Sequence, residues 1–237
     1  IMFRFLVISL ILIYPFSSFA STNILPSWKD GKTRENIISF VKSTTSKKSS
    51  DYIEPNDRVA VFDNDGTLWT EKPAYFQLDF SIYLLKKRVK KDASLAKKEP
   101  YKTILNKPYE QVLESGEKIM IAILLESQAG LTIEEYQTQA KEWINTAVHP
   151  VTGKSYRSHI YQPMVELLRY LEANQFKTFI VSGGGVDFMR AFAWEIYKIP
   201  NDRVVGSVFT KKIEWDGNKP LVKLDQTPVL INDKDEK

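Results

Sequence analysis

From Arg58 the chain reads Arg-Val-Ala-Val-Phe-Asp-Asn-Asp-Gly, an apolar run that stops at acids and a glycine. That pattern predicts a buried strand opening into a loop. A second apolar run, Phe176 to Val181, is broken by Ser182-Gly-Gly-Gly185, and a helix is expected from there to about Tyr197. Arg203 to Phe209 reads as a third strand. Lys212-Ile-Glu-Trp and Leu221-Val-Lys-Leu flank Asp216-Gly217-Asn218 and read as a hairpin. Helical spacing marks Arg34 to Thr45, with Ile37, Ile38, Phe40 and Val41 in register. It also marks Tyr161 to Asn174, where Met164, Leu167, Leu168 and Leu171 share a face. Between Pro73 and about Val148 the pattern is helical, without a convincing strand. Within it, Thr132-Ile-Glu-Glu135 forms a capping box that starts a helix running to about Thr146.

Strands alternating with helices predict a parallel α/β core, in which ligands bind beyond the carboxyl ends of the strands. Asp63 and Ser182 both fall at such ends, so one shared site is expected. The helical stretch 73–148 is then an inserted cap, and 21–72 with 149–237 is the core. Residues 1–20 stand apart: Arg4, an apolar run from Phe5 to Tyr14, and Ser18-Phe19-Ala20 make a secretory signal cleaved after Ala20. The apolar run is shorter than the roughly 20 residues of a spanning helix, and Pro15 breaks it. A periplasmic or secreted location follows as an expectation, with no stable membrane insertion after cleavage.

Composition narrows the chemistry. The absence of cysteine excludes disulfides, thiolate catalysis and cysteine-based zinc sites. A net charge of +4 is too small to argue for nucleic acid without clustering, and no nucleic-acid partner is expected. The basic stretch Lys86-Lys-Arg88, Lys90-Lys91 and Lys97-Lys98 reads as a solvated face, with steering of anionic substrates as the alternative.

A carboxylate held on a turn at the end of a buried strand can attack phosphorus in line. A second one two residues later can protonate the leaving alkoxide and then activate water. Gly66 lets the backbone turn away at once. A calcium loop is a poor alternative, because the glutamate it needs would fall at Lys72. Ser182 and the glycines after it offer a hydroxyl and backbone amides to a phosphoryl group.

Val61-Phe-Asp63-Asn-Asp65-Gly-Thr67-Leu resembles the first motif of the haloacid dehalogenase superfamily, and Phe179-Ile-Val-Ser182-Gly-Gly resembles the second. Their order and spacing are similar to members with a helical cap between the motifs, such as phosphoserine phosphatases. The resemblance implies a Rossmann-like parallel core, with Asp63 as nucleophile and Asp65 as acid/base. It implies Thr67 as a hydrogen-bonding support for the loop at the phosphate, with Ser182, Gly183 and a lysine, Lys237 ahead of Lys234, around it. It also implies Mg²⁺ held by Asp63 and Asp65. The fourth motif, a pair of acids after a further strand, has no counterpart beyond Lys237. Asp233 and Asp235 fit it poorly, so the sequence reads as cut before its metal site is complete. Asp65 argues against a dehalogenase, which needs no second acid; a phosphomutase stays open. The expected activity is an exported, Mg²⁺-dependent phosphatase acting on small phosphorylated substrates through an aspartyl phosphate. A non-catalytic phospho-ligand binding protein or an inactive fragment is the alternative. Trp69, Tyr75 and Phe76 either contact the leaving group or pack the cap. His149 and His159 receive no catalytic role.

Overall fold

The computed structural model describes residues 24–232. The leader at 1–20 and the residues Asp233, Lys234, Asp235 and Lys237 lie outside them. Four strands form one sheet in the order β1 (Val59–Phe62), β2 (Lys177–Gly185), β3 (Val204–Asp216), β4 (Lys219–Leu230). β1, β2 and β3 run parallel, while β4 returns antiparallel to β3. This is the mixed α/β architecture the alternation predicts.

Before the sheet lies α1 (Lys32–Thr45), whose Val41 packs with Leu171 and Phe176. Between β1 and β2 come α2 (Phe76–Lys91), α3 (Tyr101–Asn106), α4 (Tyr109–Leu113), α5 (Glu117–Gln128), α6 (Ile133–Thr146) and α7 (Gln162–Ala173). The box at α6 closes in both directions: Thr132 Oγ1 accepts from the Glu135 N–H, and the Glu135 carboxylate accepts from the Thr132 N–H. α7 turns Leu168 toward the main core and Leu171 toward α1.

α2 is apolar on two faces. Phe76, Phe80 and Leu84 join the main core with Trp143 of α6, while Leu78, Ile82 and Leu85 form a second cluster with Ile104 and Ile123. The inserted helices therefore share one core with the sheet and hold a smaller one of their own.

Three elements depart from the sequence pattern. β2 does not stop at Ser182 but continues to Gly185, where it pairs with Ser207 after a register shift. The glycines permit this because the backbones approach too closely for side chains: a Cβ on Gly206 would stand 2.5 Å from the Gly184 carbonyl oxygen. In place of one helix to Tyr197 there are two, α8 (Val186–Arg190) and α9 (Ala193–Tyr197). Phe192 interrupts them at φ −134°, buried with its ring 4.8 Å from Trp69. Finally, β3 runs unbroken into the hairpin, because no breaker separates Phe209 from Lys212. That hairpin grips the loop before α6, where the Gly130 N–H donates to the Leu224 carbonyl at 2.9 Å and the Leu224 N–H to Leu131 at 2.8 Å.

Candidate active site

Phe62 pairs with Ile180, so Asp63 leaves β1 one residue short of the level at which Ser182 lies on β2. Both line a cavity of about 620 Å³, together with Asp65, Gly183 and Gly184. The loop after β1 is wound tightly. The Asn64 carbonyl accepts from the Thr67 and Leu68 N–H groups, and the Gly66 N–H donates to Trp69. Gly66 sits at φ 73°, a conformation that side-chain-bearing residues adopt only with strain. Asp63 Oδ1 accepts from the Asn64 N–H at 2.7 Å.

Asp65 is held by a residue whose role the sequence left undecided. The indole Nε1–H of Trp69 donates to Asp65 Oδ1 at 2.7 Å. Trp69 is fully buried, its ring 4.6 Å from Phe76, so the donor is fixed by packing. The other carboxylate oxygen, Oδ2, faces the glycine run, 3.8 Å from where a Cβ on Gly184 would stand. The two motifs therefore meet at side-chain distance. Burial, and secondarily the charge of Asp65, raise the Tyr197 hydroxyl well above its ordinary pKa.

The Ser182–Gly184 run is fastened from behind. Ser182 Oγ accepts from the Gly184 N–H at 3.3 Å. Ser207 donates its hydroxyl to the Gly183 carbonyl at 2.7 Å, and Asn232 donates its side-chain amide to the Ser182 carbonyl at 2.9 Å. From the front, Gln77 on α2 accepts the Gly185 N–H at 2.7 Å. These bonds hold the carbonyls on one side of the run, while Ser182, Gly183 and Gly184 line the cavity on the other.

Asp63, Asp65, Ser182 and Gly183 come together; Thr67 does not. It is absent from the cavity wall, and its described bond is the backbone one to Asn64, because the turn spends its geometry on bringing Trp69 back under Asp65. Lys237 lies outside the described residues. Of the three aromatics after the motif, Trp69 and Phe76 are buried packing and Tyr75 is an exposed part of the cavity wall. The basic stretch is largely solvated at Lys86, Lys90, Lys91, Lys97 and Lys98, whereas Arg88 turns inward to the carbonyls of Ser127 and Ala129.

Against that geometry, the sequence pattern defining haloacid dehalogenase-like hydrolases matches residues 60–228. The chain belongs to that family. Among curated proteins none matches it. Of solved structures, a conserved protein of unknown function from Anaerococcus prevotii is similar at 16% identity and TM-score 0.48, over 81% of this chain and 71% of that one. A phosphoserine phosphohydrolase-like protein from Francisella tularensis shares 21% identity at TM-score 0.34, over 71% of this chain and 64% of that one. A HAD family hydrolase from Salmonella enterica shares 14% at TM-score 0.36, over 76% of this chain and 48% of that one. The chain thus spans less than two thirds of the latter two. In this member of the family the acid pair and the polar glycine run stand at adjacent strand ends.

Among the described residues no group of three His, Cys, Asp or Glu is arranged to hold a metal ion. The Asp63 carboxylate and the Asp65 backbone carbonyl would offer oxygen donors to a divalent ion here. Mg²⁺ accepts such a donor set, since it keeps several waters and takes only one or two carboxylates.

Proposed function

We propose that this chain is a phosphomonoesterase working through an aspartyl phosphate. The observation that carries this reading is the meeting of the Asp63–Asp65 loop with the Ser182–Gly184 run across one cavity. An Asp63 carboxylate oxygen bonds to phosphorus as the ester oxygen departs, and Asp65 gives that oxygen its proton. A water then attacks phosphorus, Asp65 takes its proton, the Asp63–phosphorus bond breaks, and inorganic phosphate leaves. Ser182 and the backbone beside Gly183 bind the phosphoryl oxygens. Mg²⁺, held by Asp63 and Asp65, would offset the charge of two acids and a phosphate. The helices of 73–148 act as a cap over a core of 21–72 and 149–237. Export through the leader at 1–20 places the enzyme in the periplasm or outside the cell.

Two variants test the roles. Asp63→Asn is expected to abolish trapped phosphoenzyme, while Asp65→Asn retains a nucleophile and loses about 10²–10⁴-fold in rate. The loss in Asp65→Asn is smaller for aryl than for alkyl phosphates, whose leaving groups need the proton. Phosphate release that survives exhaustive chelation contradicts the metal assignment. Binding of phosphate with no turnover in any divalent ion returns the chain to a phospho-ligand binding protein.

A further inference from the structure

The acid pair and the glycine run account for part of the cavity wall and leave the rest unexplained. The inserted helices give it an apolar part: Leu78 of α2, Leu113 of α4, and Met120 and Leu124 of α5. Carbon walls of this kind favour a leaving group with an apolar body. The volume of about 620 Å³ leaves room for one beside the phosphate, within the roughly 300–1,000 Å³ typical of small-ligand sites.

The charges on the wall point the same way. Besides the two aspartates it carries Glu71 and Glu117, with Lys72 as the cation among the described lining residues. Glu71 is set against the nucleophile loop, its Cδ and Oε2 each 3.1 Å from where a Cβ on Gly66 would stand. Glu117 begins α5, the helix that also supplies Met120 and Leu124 to the wall, and it is exposed. Lys72 is exposed. A second anion on the substrate would face carboxylates along the wall, half-buried at Glu71 and the two aspartates and moderated by solvent at the exposed Glu117. A neutral or cationic end meets no such barrier.

We propose that the site selects phosphate esters of apolar alcohols whose far end is neutral or cationic, that it rejects esters bearing a second anion, and that Glu117 sets this preference. The proposal rests on the phosphatase reading and narrows it to a substrate class. The test uses three esters of equal length, hexyl phosphate, 6-aminohexyl phosphate and 6-phosphonooxyhexanoate, with p-nitrophenyl phosphate as reference. In the full chain, kcat/KM for the first two should exceed that for the carboxylate by roughly two- to fivefold, the scale of an interaction between solvent-exposed charges. Glu117→Gln should narrow the gap, and Glu117→Lys should raise the carboxylate above the amine. Equal turnover of all three, or an order unmoved by Glu117→Lys, overturns the proposal. Failure of the phosphatase reading looks different: no ester, the reference included, releases phosphate. The preference is then read by calorimetry with hexylphosphonate and 6-phosphonohexanoate, and equal affinity for the two overturns it without any turnover.

Discussion

Trp69 does at residue scale what no motif assigns it. Its indole fixes one oxygen of Asp65, and a hydrogen bond to a charged group contributes about 1.5–3 kcal/mol. Trp69→Phe keeps an aromatic ring among Phe76, Phe188 and Phe192 and removes the donor. We expect a loss of about tenfold or more in kcat for alkyl phosphates and less for aryl ones, with the fold retained by circular dichroism. An equal loss on both would place Trp69 in packing alone. Asp63, Asp65 and Ser182 were legible in the sequence through two motifs read together: each residue type alone favours an ordinary turn, but both runs follow apolar strands in the order the family shows. Gln77, Ser207 and Asn232 were not legible. Each reaches the glycine run from a distant stretch of chain, and nothing in their local pattern distinguishes them from surface polar residues.

Among elements, α2 joins two apolar clusters of the molecule. One face joins the sheet core, another the helical cluster, and Gln77 in its first turn binds the end of β2. On the same helix Asp79 is buried and accepts the hydroxyls of Tyr109, from α4, and Tyr156, from the segment before α7. Burial raises its carboxyl above the ordinary value of 3.8, against the lowering effect of both phenols and of His149. The folded state thus binds the proton more tightly than the unfolded one, and stability falls as pH rises from 3.8 through the raised value. Asp79→Asn cannot titrate. Wild type should therefore lose stability relative to this variant as pH climbs from about 4 toward neutrality, measured by urea unfolding at each pH. A difference that stays flat across that range would remove Asp79 from the account. Element boundaries were legible where caps mark them, as at Thr132, and illegible where tertiary contact decides. The break between α8 and α9 follows the burial of Phe192, and β2 outruns its apolar run because Ser207 and Gln77 continue to pair its glycines.

On the scale of the whole molecule, the parallel order of the first three strands was readable from their alternation with helices. The length of the β3–β4 arm and its hold on the loop before α6 were not, since exposed strand residues carry no periodic signal. A further consequence lies in β1. Among the described residues it pairs on one side only, with β2, and Val59 and Val61 are more than half exposed. If phosphate binds between Asp63 and Ser182 it ties the ends of the two strands together, so a phosphate analogue such as vanadate should slow deuterium uptake across both 59–63 and 178–182. Slowing in one segment alone would mean that the acid loop and the glycine run do not share a ligand, and that the sheet edge responds as two separate pieces.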